Sequence, residues 1–164
     1  MGALAGAVEA VADAFGCEPA TLRAMSMESV EVVVRGYRAF IDGDFEAISE
    51  LLDPDVEWYP LDAGPYSFVD HSEVLGVVGE RYREQYRVEL DRCVGVGDHV
   101  VVGFRASREE RDTTDPRPLQ SRRKFSVERY SAVVTIRNGR VVRVQDYPHL
   151  QAAFEAVGLD EKGD

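Results

Sequence analysis

One carboxylate of this sequence is placed where it could carry out acid/base chemistry. Val142, Val144 and Asp146 are spaced two residues apart, and side chains at that spacing point to the same face of a β-strand. The pattern therefore predicts a carboxylate at the end of an apolar stripe. Because an isolated buried charge is costly, such a carboxylate is paired, protonated or functional. The alternative is a strand-end aspartate that reaches solvent or caps the following helix.

A second polar group falls on a neighbouring predicted strand. Glu128 shares a strand face with Tyr130, Ala132 and Val134. If that face is concave, Glu128 and Tyr130 reach the same pocket as Asp146. A second carboxylate there could raise one pKa and form an acid/base pair. The alternative is a glutamate exposed on the surface of the sheet.

The metal-binding and redox-active residue types are sparse. His71, His99 and His149 have no ligand-like spacing, so no metal site and no cofactor are expected. Cys17 and Cys93 are far apart and are interpreted as two free thiols in a reducing compartment. We therefore expect a cytoplasmic protein.

Composition restricts the classes of partner. The chain has 164 residues, which fits one domain, and a formal net charge of −11. An acidic surface repels phosphate backbones and anionic lipid, so nucleic acid and membranes are poor partners. No apolar run of about 18 residues is present, and the apolar N-terminus lacks the basic start of a signal peptide.

The elements that must position these residues follow from periodicity. The hydrophobic spacing predicts helices at 4–15, from a cap at Ser29 to Ile41, at Phe45–Leu52, from Asp70 or Ser72 onward, and at 149–157, ending at Gly158. Strands are predicted at 55–61, 85–94, the following VVVGFRA segment, 121–136 and 140–147, the last two joined by a hairpin at Asn138-Gly139. This order predicts an α+β fold with helices on one side of a curved antiparallel sheet.

Three segments are predicted along the chain. Residues 1–26 form an N-terminal helical extension, 27–159 the main domain and 160–164 a tail. The charged stretch 108–119 has no apolar period, so we expect a mobile loop that acts as a rim or lid.

The sheet is expected to pair with a second copy of the chain. Val133 and Val141 alternate with Val134 and Val142, which places apolar residues on both faces of the two strands. Apolar rows on both faces need two covers. We therefore expect a homodimer formed through the outer face of the sheet.

Two stretches resemble a known family. The segments VVVRGYRAFIDGDFEAISELLDPDVEWYP and TIRNGRVVRVQDYPHLQAAFEAVGL are similar to SnoaL-like and ketosteroid isomerase-like domains, over roughly residues 28–159. The resemblance implies the cone-shaped fold called cystatin-like or nuclear transport factor 2-like. A pocket would then lie between the long helix and the concave face of the sheet. The superfamily includes isomerases, cyclases, dehydratases, epoxide hydrolases and non-enzymes.

The ending QDYPHL is similar to that of limonene-1,2-epoxide hydrolase-like proteins. The resemblance implies a catalytic role for Asp146 and assigns Arg105 to the arginine between the two catalytic aspartates of that family. The second aspartate would fall at Ser107, which cannot act as a carboxylate. The period of two places Arg105 on the face opposite Phe104, so a surface arginine is the alternative.

The same superfamily implies roles for other residues. Tyr37 lies on the apolar face of the long helix and matches the oxyanion tyrosine of ketosteroid isomerases. Trp58 falls where those isomerases have their general base, and together with Tyr130 it would supply an aromatic pocket lining. SnoaL-like cyclases use histidine with aspartate, which makes His71 a candidate at the pocket.

Two functions remain open. The first is a cofactor-independent acid/base enzyme of cyclase, isomerase, dehydratase or epoxide-hydrolase type that acts on a small apolar oxygenated molecule through Asp146, Arg105 and Tyr37. The alternative is a non-catalytic ligand-binding or dimerisation module of the same fold, because the catalytic sets of two related families are incomplete in this sequence.

Overall fold

A computed structural model describes residues 19–61, 68, 70–85, 87–111, 116 and 123–159. The helix expected at 4–15, the tail at 160–164 and Cys17 lie outside the described residues. The four helices are α1 (Pro19–Asp42), α2 (Phe45–Leu51), α3 (His71–Arg83) and α4 (Leu150–Ala156). The five strands are β1 (Leu52–Tyr59), β2 (Arg87–Val96), β3 (His99–Arg111), β4 (Arg123–Arg137) and β5 (Arg140–Tyr147).

The strands form one mixed sheet in the order β1-β5-β4-β3-β2. The pairs from β2 to β5 are antiparallel, but β1 runs parallel to β5. The prediction of an entirely antiparallel sheet is therefore wrong at β1, although the α+β class is confirmed. Pro54 has no N–H to donate, and β1 accommodates it because it is an edge strand whose pairing skips from Leu52 to Glu57.

Helices cover both faces of the sheet. On the inner face, α1 and α2 pack against Val100, Val102 and Val134. On the outer face, α4 places Phe154 against a cluster that includes Val101. The expectation that all helices gather on one side is therefore wrong for α4. Because β3 is covered on both faces, it carries consecutive valines at 100–102 that are completely buried.

A β-bulge in β5 changes which valine faces inward. Thr135 pairs with Arg143, but the next residue, Ile136, pairs with Val141, so one residue of β5 is left over. Val141 therefore lines the inner face in place of Val142. The predicted shared face of Val144 and Asp146 lies beyond the bulge and is retained.

The long helix α1 begins at Pro19, eleven residues before the start that a cap at Ser29 predicts. Ser29 is not its N-cap, because the helix starts at Pro19 and proline suits a first helical turn. The buried Ser29 hydroxyl instead donates to the carbonyl of Gly97 at 3.0 Å, and the Gly97 N–H donates to Ser26 Oγ at 2.9 Å. The helix runs without a break through position 26, where the predicted extension meets the predicted main domain; that division remains a prediction.

Several predicted helix ends and turns are confirmed. Asp70 caps α3 by accepting from the Glu73 N–H at 2.7 Å. Gly158 follows α4 at a φ of 81°, a conformation that favours glycine. Asn138 and Gly139 both have positive φ, as the two-residue hairpin between β4 and β5 requires.

The first four residues of the predicted loop at 108–119 lie in a strand instead. Residues 108–111 belong to β3 and pair with residues 123–126 of β4. Apart from the exposed Pro116, the rest of the predicted loop lies outside the described residues.

Candidate functional site

A cavity of about 290 Å³ lies between the inner face of the sheet and the helices α1, α2 and α3. This volume is close to the lower end of the range of small-molecule sites. The wall is mainly apolar and includes Val32, Val33, Leu51, Val102, Phe104 and Val134. Such a wall provides hydrophobic contact with a ligand, while the few polar groups in it decide orientation and chemistry.

Asp146 is one of these polar groups, as the strand pattern predicts. Its Oδ1 accepts a hydrogen bond of 3.1 Å from the indole Nε1 of Trp58, and both side chains line the cavity. Trp58 lies next to Val144 across the parallel β1–β5 pair, so its side chain reaches along the same face to Asp146. Ala132 lies opposite Asp146 on β4, and its small side chain leaves space above the carboxylate.

Arg81 and Tyr130 form a second polar group at the wall. Arg81 Nη1 donates to the Tyr130 hydroxyl, and the guanidinium lies 5.1 Å from the centre of the Tyr130 ring. The Tyr130 hydroxyl in turn donates to Glu128 Oε2. Burial and the hydrogen bond to Glu128 raise the pKa of Tyr130 to about 12, so the phenol stays neutral at physiological pH.

Tyr37 lines the cavity, but its hydroxyl proton is already engaged. The hydroxyl donates to the backbone carbonyl of Val88 at 2.9 Å. Because a phenol has only one proton to donate, this bond competes with the predicted oxyanion role. The ring itself contributes to the apolar wall beside Phe104, with a centroid separation of 6.3 Å.

Three predicted site residues, Arg105, Glu128 and His71, lie away from the cavity wall. Arg105 is exposed on the outer face of β3 because it alternates with the inward-facing Phe104 and Ala106, so it does not meet Asp146. Glu128 is exposed at the rim and contacts the site through Tyr130 and Arg81; its carboxylate is 3.8 Å from Arg81 Nη1. The two predicted carboxylates, Glu128 and Asp146, therefore do not form an acid/base pair at the wall.

His71 lies outside the cavity, where it connects α3 to α2. Its Nε2 lies 2.8 Å from the Ser49 carbonyl oxygen and 3.2 Å from Ser49 Oγ. This position joins the start of α3 to α2. The predicted pocket role of His71 is therefore not matched by its position, because the ring faces α2 instead of the ligand space.

Arg81 is the wall residue that the sequence analysis missed. Val74, Val78 and Arg81 are spaced at i, i+4 and i+7 on α3, and all three line the cavity. A charged residue continuing an apolar helical stripe was the available signal. It is easily assigned to the surface, since arginine usually marks the solvated side of a helix.

The two remaining histidines and Cys93 lie elsewhere in the fold. His99 Nδ1 lies 3.0 Å from Thr135 Oγ1 in the β2–β3 turn region, and His149 Nδ1 caps α4 by accepting from the Ala152 N–H at 3.2 Å. Cys93 is a half-buried free thiol whose pKa is raised by burial. Across the part of the chain that the structure describes, no cluster of three metal-ligating side chains occurs. Within the same residues, no helix has the length and apolar character needed to cross a bilayer.

Solved structures share this architecture. Bal32a, from a soil-derived mobile gene cassette, is 21% identical over 81% of this chain and 98% of its own, with a TM-score of 0.60. An M. tuberculosis epoxide hydrolase similar to limonene epoxide hydrolase is 15% identical over 80% of this chain and 90% of its own, with a TM-score of 0.55. TerC, crystallised with polyporic acid, is 23% identical over 79% of this chain and 98% of its own, with a TM-score of 0.55. At these identities the likeness shows the fold alone.

The sequence itself identifies the family. No curated protein is similar enough to the chain to match it. The profile of the SnoaL-like domain matches residues 33–144, which extends from α1 through most of β5. The chain therefore belongs to the SnoaL-like domain family, as its two family-like stretches indicate.

Proposed function

We propose that the chain is a cofactor-independent acid/base enzyme that uses Asp146 to move a proton on a small, apolar, oxygen-bearing molecule. The observation that carries the proposal is the position of the Asp146 carboxylate, which lies at the wall of an apolar cavity and accepts a 3.1 Å hydrogen bond from Trp58 Nε1. An indole N–H donates but cannot accept. It can hold one carboxylate oxygen in place while the carboxylate exchanges protons with a ligand.

The geometry favours isomerisation or cyclisation over hydrolysis by two carboxylates. Among the described residues of the cavity wall, Asp146 is the single carboxylate. One carboxylate can remove a proton from carbon next to a carbonyl group and later return it to the same molecule. Ser107 and the outward-facing Arg105 do not supply the partners of an epoxide-hydrolase site. The cationic Arg81 is left to face the substrate oxygen, with the neutral Tyr130 beside it.

The family and its structural neighbours are consistent with a small-molecule substrate. The fold includes an epoxide hydrolase and a protein crystallised with polyporic acid. We extend from these neighbours only the class of ligand, a compact molecule with an apolar body and polar oxygens. A cavity of about 290 Å³ fits a ligand of that class.

Proton exchange in heavy water tests the proposal. We would incubate the protein in D2O with a panel of cyclic ketones and hydroxyquinones and follow deuterium incorporation and new products by mass spectrometry. We expect Asp146→Asn to lower turnover by ~10²–10⁴-fold while ligand binding is largely kept. Asp91→Asn is the matched control, because Asp91 is exposed and pairs with Arg129 on the surface. Equal turnover in wild type and Asp146→Asn would contradict the proposal.

A non-catalytic ligand-binding role is the second candidate. It is favoured by the engaged Tyr37 hydroxyl and by the outward position of Arg105. This role predicts that panel members bind to the cavity while the wild type incorporates no deuterium into them. The same experiment therefore separates the two functions.

A further inference from the structure

A single cation stands out in the mainly apolar cavity wall. Arg81 is the only basic residue among the described wall residues, and α3 aims it inward on the same stripe as Val74 and Val78. It is half-buried and its contacts are with Tyr130 and Glu128, which follow one another on the same face of β4. In a mainly apolar wall, a charged side chain is one of the few groups that can orient a ligand and select its charge.

We propose that Arg81, positioned by Tyr130, selects ligands that carry a negatively charged oxygen, a carboxylate or an enolate, on an apolar ring. The inference rests on the proposed function for the location of the site and names the substrate class that the site prefers. Arg81 is a ligand-binding residue in this scheme, and Glu128 is a positioning residue that acts through Tyr130.

Arg81 has enough N–H donors to bond to Tyr130 and to a ligand oxygen at the same time. A guanidinium is always protonated and has five N–H groups arranged as a planar fork, which matches the oxygens of a carboxylate. One Nη1 hydrogen is directed to the Tyr130 hydroxyl. The Tyr130 proton is directed to Glu128, and the neutral phenol does not cancel the charge of Arg81. The fork therefore keeps further donors for a ligand oxygen.

Glu128 opposes an anion only weakly. Its carboxylate is 3.8 Å from Arg81 Nη1, but both side chains are more than two-fifths exposed. Exposed ion pairs are screened by water and salt and contribute little. We therefore expect Glu128 to reduce the attraction between Arg81 and an anionic ligand without abolishing it.

The sheet places Tyr130, the hydrogen-bond partner of Arg81, near the proposed base. Asp146 lies opposite Ala132 on β4, and Tyr130 is two residues from Ala132 on the same face. Diagonal neighbours of this kind lie roughly 7–8 Å apart, and their Cβ atoms are somewhat closer. A ketone oxygen bound at Arg81 would therefore hold the neighbouring C–H carbon near Asp146. When that carbon gives its proton to Asp146, the C–H electron pair forms a carbon–carbon double bond and the π pair of the carbonyl group moves onto its oxygen, so that Arg81 stabilises the resulting enolate.

A matched pair of probes tests the selectivity. Naphthalene-2-carboxylate and naphthalene-2-carboxamide have the same ring and nearly the same shape but differ in charge. The chain has one tryptophan, so the indole N–H signal of Trp58 in a nitrogen–proton correlation spectrum reports cavity occupancy without further assignment. We expect the wild type to bind the carboxylate about tenfold more tightly than the amide, or better.

The variants make the assignment specific. Arg81→Gln should remove the preference by lowering carboxylate affinity far more than amide affinity, while Glu128→Gln should increase the preference. Arg83→Gln is the matched control, because Arg83 is an exposed arginine on the same helix. Thermal melting of each variant separates loss of binding from loss of folding.

The binding experiment can reject the role of Arg81 independently of the proposed function. Equal affinity for the two probes, no response to either probe at millimolar concentration, or a preference that survives Arg81→Gln would each reject the role of Arg81. The catalytic proposal stands or falls on the turnover of Asp146→Asn. If the protein prefers anions but Asp146→Asn keeps its turnover, the proposed ligand class is supported and the proposed catalysis by Asp146 is rejected.

Discussion

The indole of Trp58 and the carboxylate of Asp146 lie 88 residues apart in the chain and are joined by a hydrogen bond of 3.1 Å from Nε1 to Oδ1. The contact depends on the parallel pairing of β1 with β5, which sets Trp58 beside Val144. It also depends on the period of two in β5, which sets Asp146 on the same face as Val144. One sheet edge therefore provides both the carboxylate and the donor that orients it.

This hydrogen bond predicts a direct spectroscopic reporter of the proposed base. We expect the Trp58 indole N–H resonance to shift with pH in step with ionisation of Asp146, because the N–H donates to a carboxylate oxygen. The measurement is a pH series of nitrogen–proton correlation spectra on the free protein. In Asp146→Asn that titration should vanish while the single indole signal remains. An unchanged titration curve in the variant would show that another group is responsible.

The raised pKa of Tyr130 predicts a specific loss of stability in alkali. Its pKa lies at about 12 in the fold, above the ordinary tyrosine value of 10.0, first because of burial and then because of its hydrogen bond to Glu128. A pKa raised by folding contributes stability that is fully present below pH of about 10 and lost as pH rises towards 12. Urea unfolding across that range should show wild type losing more free energy of unfolding than Tyr130→Phe. Parallel curves for the two proteins would contradict the assignment.

A close approach between α1 and β2 predicts a strong glycine requirement. A Cβ at Gly95 would lie 2.7 Å from the Ser26 carbonyl oxygen and 2.9 Å from Val30 Cγ2. Gly95→Ala should therefore lower the free energy of unfolding by roughly 1–3 kcal/mol, as overpacking does. Gly76→Ala is the control, because nothing lies within 4 Å of that position on α3. It should stabilise the helix by up to about 1 kcal/mol. Chemical denaturation of both variants checks the pair, and equal effects would argue against the contact.

The sequence predicts the parts of the site that depend on local periodicity. Alternation in β5 places Asp146 on the apolar face, and the hydrophobic spacing of α1 places Tyr37 towards the core. The same alternation fails at Val142, because a bulge inserts one residue and no residue type there signals it. Ser29 resembles an N-cap locally, yet the helix continues through it and its hydroxyl bonds to Gly97 across the fold.

The features that the sequence did not predict depend on contacts between residues that are far apart in the chain. The Tyr37 hydroxyl is engaged by the carbonyl of Val88, 51 residues away, and this contact depends on how α1 crosses β2. Arg81 belongs to the cavity because α3 packs its stripe against β1 and the wall, a relation that no local pattern contains. Phe154 shows the same limit: its helix was predicted, but the sheet face that it covers was not.

The packing of α4 narrows the part of the outer sheet face that could form the predicted homodimer contact. Phe154 already covers the outer face at Val101 and Val133, so apolar valines there no longer need a partner subunit. Val127 lies on the same outer face of β4, nearer the start of the strand, and is 48% exposed. We still expect light scattering at micromolar concentration to give twice the chain mass of 18.3 kDa.

A charge at Val127 tests which surface pairs. Val127→Asp should shift the protein to a single chain, because a carboxylate buried in an interface without a partner is costly. Ile41→Asp is the matched control, since Ile41 is equally exposed at 48% but lies on α1, away from the outer sheet face. If wild type gives only the mass of one chain, the homodimer prediction is wrong. If both variants dissociate or neither does, the pairing surface is not the outer face of β4.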